Sequence, residues 1–317
     1  MILDFIDDIL DGTEWEKICD SCYRMIYQEK GYQKIPATVG GDGGIEGFTH
    51  TGIVYQCYCP ERKFSDNELY DHLRDKMTKD TNKLVDLKYG KRLKTFGVPI
   101  IREWHFVIPQ YKDARIIQHA ESKKQEILSK KKSNKSYDYI HDDFKIIVKV
   151  AEDFKFQISK IIRNNLTDTK LNFAILHTGK VDWSKCDSDK VNNIKRKVKA
   201  VMNDLPEEHE DYLEMVDFYL EAYIKGLEIL RILRVSYSEI YEDIYALEQS
   251  YKREVKIKTK MNTDRSINAT ILKEILDDFQ NKIQQEFKYL SIASMTELKI
   301  DLISGWLADC SMEFRSR

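Results

Sequence analysis

Proline is scarce in this chain, five in 317 residues, and so few residues with a locked φ favour long helices over irregular loops. No run of about 18 apolar residues occurs, so no membrane-spanning helix and no membrane partner are expected. A strong net charge is missing as well. The formal charge is −2 although 33% of the residues are charged, which excludes a uniformly basic nucleic-acid binder but not a local basic face. The opening Met1-Ile2-Leu3-Asp4 lacks a basic stretch leading into an apolar core, so a cytoplasmic protein without a secretory signal is expected. The six cysteines then read as reduced thiols. Neither G-x-x-x-x-G-K-[ST] nor G-x-S-x-G occurs, so P-loop and serine-hydrolase chemistry have no motif to rest on.

What is present is concentrated in residues 40–61, GGDGGIEGFTHTGIVYQCYCPE. Asp42 is bracketed by glycines that let the backbone turn sharply and let a phosphate come close. A short strand over residues 45–48 carries Glu46, residues 49–52 make a turn, and a second strand over 53–59 carries Gln56. The stretch enters a strand and not a helix, which rules out the dinucleotide-binding spacing. An acid at the start of a hairpin, facing a polar residue on the partner strand, can hold a divalent metal on a rigid sheet. Mg²⁺ (or Mn²⁺) is the cation suited to such oxygen ligands. Asp42 is the first candidate ligand, Gln56 the second, and Glu16 on the preceding helix a third. Glu46 is placed to cap the hairpin or to join a second metal. His50 in the turn and His105 in a later strand read as a solvated loop residue and a core residue.

The rest of the chain frames this stretch. Thr13 with Glu16 fits a capping box for a helix over 13–29, with Trp15, Ile18, Cys19, Cys22, Met25 and Ile26 on one face. Residues 65–87 read as a helix with an outer basic face of Arg74, Lys76, Lys79 and Lys83. Residues 102–109 read as a buried strand, and 113–132 as a helix. That order gives an α/β domain. A helix over 142–165 and a strand over 171–177 follow. Beyond residue 188 glycine nearly vanishes and helical periods dominate, so a boundary near 185 separates a domain of residues 1–185 from a helical domain of 186–317. Residues 61–135 carry an excess of about eight positive charges and 204–254 a similar negative excess. The first excess lies where a phosphate backbone needs it. Cys19-x-x-Cys22 and Cys57-x-Cys59 suggest zinc, but neither pair sits in a glycine-bearing knuckle, and buried small hydrophobes are the reading preferred.

The helix with Glu16, then Asp42-Gly-Gly-Ile-Glu-Gly, then Val-Tyr-Gln-Cys resembles the PD-(D/E)XK nuclease superfamily over about residues 13–130. It is most similar to the Mrr-like restriction endonuclease branch, in which a D-G-G-I-D-G hairpin precedes a strand with Q-x-K. The resemblance implies a restriction-endonuclease-like mixed sheet flanked by helices. It makes Asp42 and Gln56 metal ligands and Glu16 an auxiliary acid. Tyr58 stands where the family has its catalytic lysine. In members with a migrated lysine, a following helix supplies it, and Lys76 is the first candidate here, with Lys79 or Lys83 in reserve. Tyr58, Arg74, Lys79 and Lys83 are candidate nucleic-acid contacts. Residues 305–314, GWLADCSMEF, resemble helical C-terminal domains of multi-component bacterial defence proteins. The implied function is metal-dependent hydrolysis of DNA phosphodiesters by an antiphage-defence effector. The helical domain would mediate homo-oligomer assembly or dock a second defence subunit. The alternative is a DNA-binding or scaffold subunit that does not cut.

Overall fold

The structure, a computed structural model, describes residues 2–6, 10–35, 44–61, 64–173, 187–203, 205–309 and 311–315. The chain divides into two compact units, Met1–Asp4 with Asp8–Asp168, and Phe5–Asp7 with Thr169–Arg317. The boundary expected near 185 lies outside the described residues.

The first unit is α/β. Helix α1 (Gly12–Tyr27) starts at Asp11, whose Oδ1 accepts from the Glu14 amide at 2.7 Å. Asp11, with its extended backbone, is therefore the cap, and the expected Thr13–Glu16 box is not. Thr13 lies inside the first turn, and Glu16 is released to pair with Lys34 at 2.9 Å. Trp15, Ile18, Cys19, Cys22 and Tyr23 are buried. Met25 and Ile26, expected on the same face, are exposed.

Five strands follow the chain order across one mixed sheet: β1 (Gln33–Lys34), β2 (Gly47–Phe48), β3 (Ile53–Cys57), β4 (Ile101–Ile108) and β5 (Ile140–Val150). The pairs β1–β2 and β2–β3 are antiparallel, and β3–β4 and β4–β5 are parallel. Parallel neighbours need crossovers. These are α2 (Asp66–Leu84) with α3 (Leu87–Thr95), and then α4 (Arg115–Ser133). The single helix expected over 65–87 ends at Leu84, and Asp86 caps α3 by accepting from the Lys88 amide at 2.8 Å.

The expected helix over 142–165 is corrected. Its first part is β5, followed by a 3-10 turn at Ala151–Phe154 and then α5 (Lys155–Arg163). The β-branched run Ile146-Ile147-Val148 has stiff side chains that favour a strand, and β4 offers it a parallel partner from Trp104 to Phe106. Side chains alternate across the sheet. Tyr55 stacks on Tyr23 of α1 with ring centroids 3.9 Å apart. Val54, Trp104 and Phe106 join Leu73 and Met77 of α2 in the core on the opposite face.

The second unit is helical: α6 (Ser188–Val201), α7 (Glu210–Ser236), α8 (Ser238–Met261), α9 (Asn268–Glu286) and α10 (Ile292–Ala308). α10 packs against α6, α7 and α9, and its Trp306 lies among Tyr251 and Phe279. Gly226 lets α7 approach α10, because a Cβ there would lie 2.8 Å from that of Asp301. Along α7, Tyr219 and Ala222 are buried and Phe218 is exposed. Of the strand expected over 171–177, Leu171 forms isolated bridges with Ile6 and Leu290, and 174–177 lie outside the described residues. Among the described residues no helix is long and apolar enough to cross a membrane.

Candidate active site

The base of the hairpin is fixed by its neighbours. Gly44 adopts φ +80, and a Cβ there would sit 3.0 Å from the Asp80 carbonyl of α2. The Trp104 indole donates to the Gly44 carbonyl at 3.3 Å. Asp42, the first expected ligand, lies two residues earlier, outside the described residues.

From Gly44 the register follows directly. Gly47 faces Tyr55 and Phe48 faces Val54, so Glu46 falls across from Gln56. The Glu46 amide donates to the Tyr55 carbonyl at 2.8 Å. The Gln56 side-chain amide donates to Glu46 Oε1 at 2.5 Å and to the Cys57 carbonyl at 3.2 Å. Both side chains are buried. Gln56 Oε1 is a buried acceptor without a hydrogen-bond donor. An orphaned amide oxygen beside a carboxylate supplies hard oxygen donors of the kind Mg²⁺ takes.

Two residues on, Tyr58 extends the row. The Lys76 ammonium of α2 lies over its ring, 5.7 Å from the centroid. Partial burial, with Glu61 and the Cys59 thiol nearby, raises the Tyr58 phenol above its ordinary pKa. Glu16, Glu46, Gln56, Tyr58 and Lys76 all line one open cleft of about 1120 Å³, together with Asp11, Glu61, Phe64 and His72. Among these described lining residues carboxylates outnumber the single lysine, which suits a site that draws in a cation.

The structure therefore brings Glu16, Gln56, Tyr58 and Lys76 to one place. The other basic candidates are not among the described residues that line the cleft. Lys83 pairs with Asp80 at 3.3 Å. Arg74 is held by Asp71 and Asp75 of its own helix. Lys79 is exposed. Glu46, expected to cap the hairpin or to join a second metal, faces Gln56 because Gly52 closes the turn at φ +93. Asp80, which pairs with Lys76, stands outside the residues expected to form the site. Asp80 could be found from helical spacing, since it falls in the buried stripe of Leu69, Leu73, Met77 and Leu84.

His50, His105 and four described cysteines are engaged in packing or hydrogen bonds. The His50 ring packs over Gly31. His105 is buried between the Tyr23 hydroxyl at 2.7 Å and Glu103 at 3.0 Å, and burial holds its pKa below the usual value. Cys19, Cys22, Cys57 and Cys59 are buried free thiols. Burial pushes Cys59 up to about 11, and its Sγ donates to the Leu10 carbonyl at 3.0 Å. Among the described residues no group of three His, Cys, Asp or Glu side chains is arranged to hold a metal ion. Comparisons with family models, curated proteins and solved structures find no match for the chain.

Proposed function

We propose that the first unit is a restriction-endonuclease-like nuclease domain, and that the cleft hydrolyses DNA phosphodiesters with Mg²⁺ or Mn²⁺. The observation that carries this reading is the pairing of Glu46 with Gln56 on the sheet face that also presents Tyr58 beneath Lys76. Helix, antiparallel hairpin, crossover helices and parallel strand build one mixed sheet, compatible with the mixed sheet flanked by helices that the resemblance to PD-(D/E)XK nucleases implies. The hairpin supplies Glu46 and Gln56 as the described oxygen donors, with Glu16 at the cleft wall and Asp42 beyond the described residues. Bound there, a divalent cation supplies Lewis-acid polarisation of a phosphoryl oxygen and a more acidic water. Lys76 replaces the missing lysine at 58: its ammonium lies over the Tyr58 ring, where it can orient the attacking water and offset charge developing on the phosphate. The exposed Lys79 extends the positive surface along α2 toward the DNA backbone. An antiphage-defence setting, with the helical unit assembling copies or docking a second subunit, rests on the resemblance alone.

The test is incubation of plasmid DNA with Mg²⁺ or Mn²⁺ and the full chain, beside Glu46→Ala, Gln56→Ala and Lys76→Ala. Metal-dependent nicking or linearisation by the parent, lost in the variants, is the expected result. Binding of DNA with no cleavage under either metal would replace the enzyme by the non-cutting DNA-binding subunit. The observation favouring that second reading is Tyr58 itself, an aromatic side chain in the lysine position.

A further inference from the structure

Asp80 is fully buried, and both of its carboxylate oxygens lie out of contact with water. A buried carboxylate needs a cation or hydrogen bonds to offset its lost hydration. Its partners are two lysines of its own helix: Lys76 Nζ at 2.8 Å from Oδ2 and Lys83 Nζ at 3.3 Å from Oδ1. Both lysines remain partly exposed, Lys76 at 25% and Lys83 at 31%. The spacing i−4, i, i+3 puts all three on one side of α2. The backbone at Asp80 also abuts Gly44 at the base of the hairpin, so the same helical turn meets the start of the segment that carries Glu46.

We infer that Asp80 is a positioning residue: it anchors the Lys76 and Lys83 ammonium groups against the hairpin and so sets where Lys76 presents its charge to a phosphate in the cleft. The role of Lys76 rests on the nuclease reading above, whereas the place where it is held rests on geometry alone. Two lysines on one carboxylate leave one net positive charge at the cleft edge. Without the anchor, a flexible four-carbon stem would spread the ammonium over many rotamers. A lysine in the strand position would be held by the sheet itself. A lysine reaching from a helix needs a second fixed point, and Asp80 supplies it.

The experiment uses the full chain and low-dose acetylation with an N-hydroxysuccinimide ester, read residue by residue by peptide mass spectrometry. The exposed Lys79 of the same helix is the internal reference. Asp80→Asn should raise labelling of Lys76 and Lys83 relative to Lys79 by roughly threefold or more, because neither amine must then leave a buried carboxylate. Unchanged labelling overturns the anchor. If circular dichroism shows Asp80→Asn to be unfolded, Lys76→Met decides. Lys83 then has the carboxylate to itself, and its labelling should fall by about twofold, an unchanged value again overturning the proposal. In DNA cleavage, Asp80→Asn should lower kcat by about tenfold or more with KM within about threefold, and Asp80→Glu should recover part of the loss. Parent-like kcat in Asp80→Asn overturns the positioning role. A parent protein that never cuts DNA, but whose lysine labelling responds as expected, removes the nuclease reading and leaves the anchor standing.

Discussion

The Gln56 side-chain amide donates to Glu46 Oε1 at 2.5 Å across the β2–β3 hairpin, and this single contact fixes which way the amide faces. With its nitrogen committed to the carboxylate, Gln56 keeps its oxygen buried and without a donor. Glu46→Gln should keep the cross-strand contact and hold unfolding free energy within about 1 kcal/mol, while Glu46→Ala should cost ~1–3 kcal/mol by stranding the amide. Both should weaken Mn²⁺ binding by about tenfold or more in calorimetric titration. Parent-like affinity in Glu46→Gln would take Glu46 out of the metal site.

Lys76 over the Tyr58 ring leads to a rescue test. Lys76→Met should lower kcat by about 100-fold. Adding Tyr58→Lys moves the ammonium onto the sheet two residues past Gln56 and should return part of that loss. Single-turnover cleavage of supercoiled plasmid reads it. Absence of recovery in a folded double variant would show that the helix position is not a relocated strand lysine.

Gly52 makes the hairpin turn at φ +93, and a Cβ there would lie 2.4 Å from the Ile100 carbonyl. The Arg102 amide also donates to the Gly52 carbonyl at 2.8 Å. Gly52→Ala should therefore destabilise the first unit by about 2 kcal/mol or more, combining a strained φ with overpacking. Urea unfolding measures the loss, and a cost below about 0.5 kcal/mol would mean the turn relaxes freely.

Asp301 gives a pH dependence in the helical unit. Burial, with Glu297 nearby, raises its carboxyl from an ordinary 3.8 to about 8. Between those values the folded form keeps a proton that the unfolded chain has released. Stability contributed by this group is therefore present at about pH 4, falls as pH rises, and is lost above about pH 8. Asp301→Asn abolishes that titration. Relative to the parent, the variant should gain ~2 kcal/mol or more between pH 4 and pH 9, read by urea unfolding across the range. A flat difference would place the Asp301 carboxyl at an ordinary pKa.

The helices beyond residue 188 were legible in the sequence because their apolar periods are long and uninterrupted, and α6 to α10 occupy the stretch in which helical periods dominate. The hairpin was legible from its glycines. The run 140–150 was not, because Phe144, Ile147 and Val148 satisfy a helical period as well as a strand and only the presence of β4 decides between them. Asp11 took the cap from Thr13 because two good capping residues stood two positions apart. Gln56 and Lys76 are candidates from motif order, and both line the cleft. The facing of Glu46 and Gln56 follows from cross-strand register, and Asp80 stands out as a charge inside the apolar stripe of α2, but its two lysine partners show only in the structure.

Phe5 and Ile6 belong with the helical unit. The Phe5 ring packs tilted against Phe173 and edge-to-face against Tyr237, with centroids 5.5 and 5.3 Å away, and its carbonyl accepts from the Asn172 amide at 2.7 Å. During synthesis Phe5 leaves the ribosome well before any of these partners. The helical unit thus waits for residues made early, and the early residues wait for it. A gene fragment beginning at residue 169 would encode the five helices without the aromatic ring that fills their side. Dissection of the two units for expression therefore has to carry the first residues along with the last.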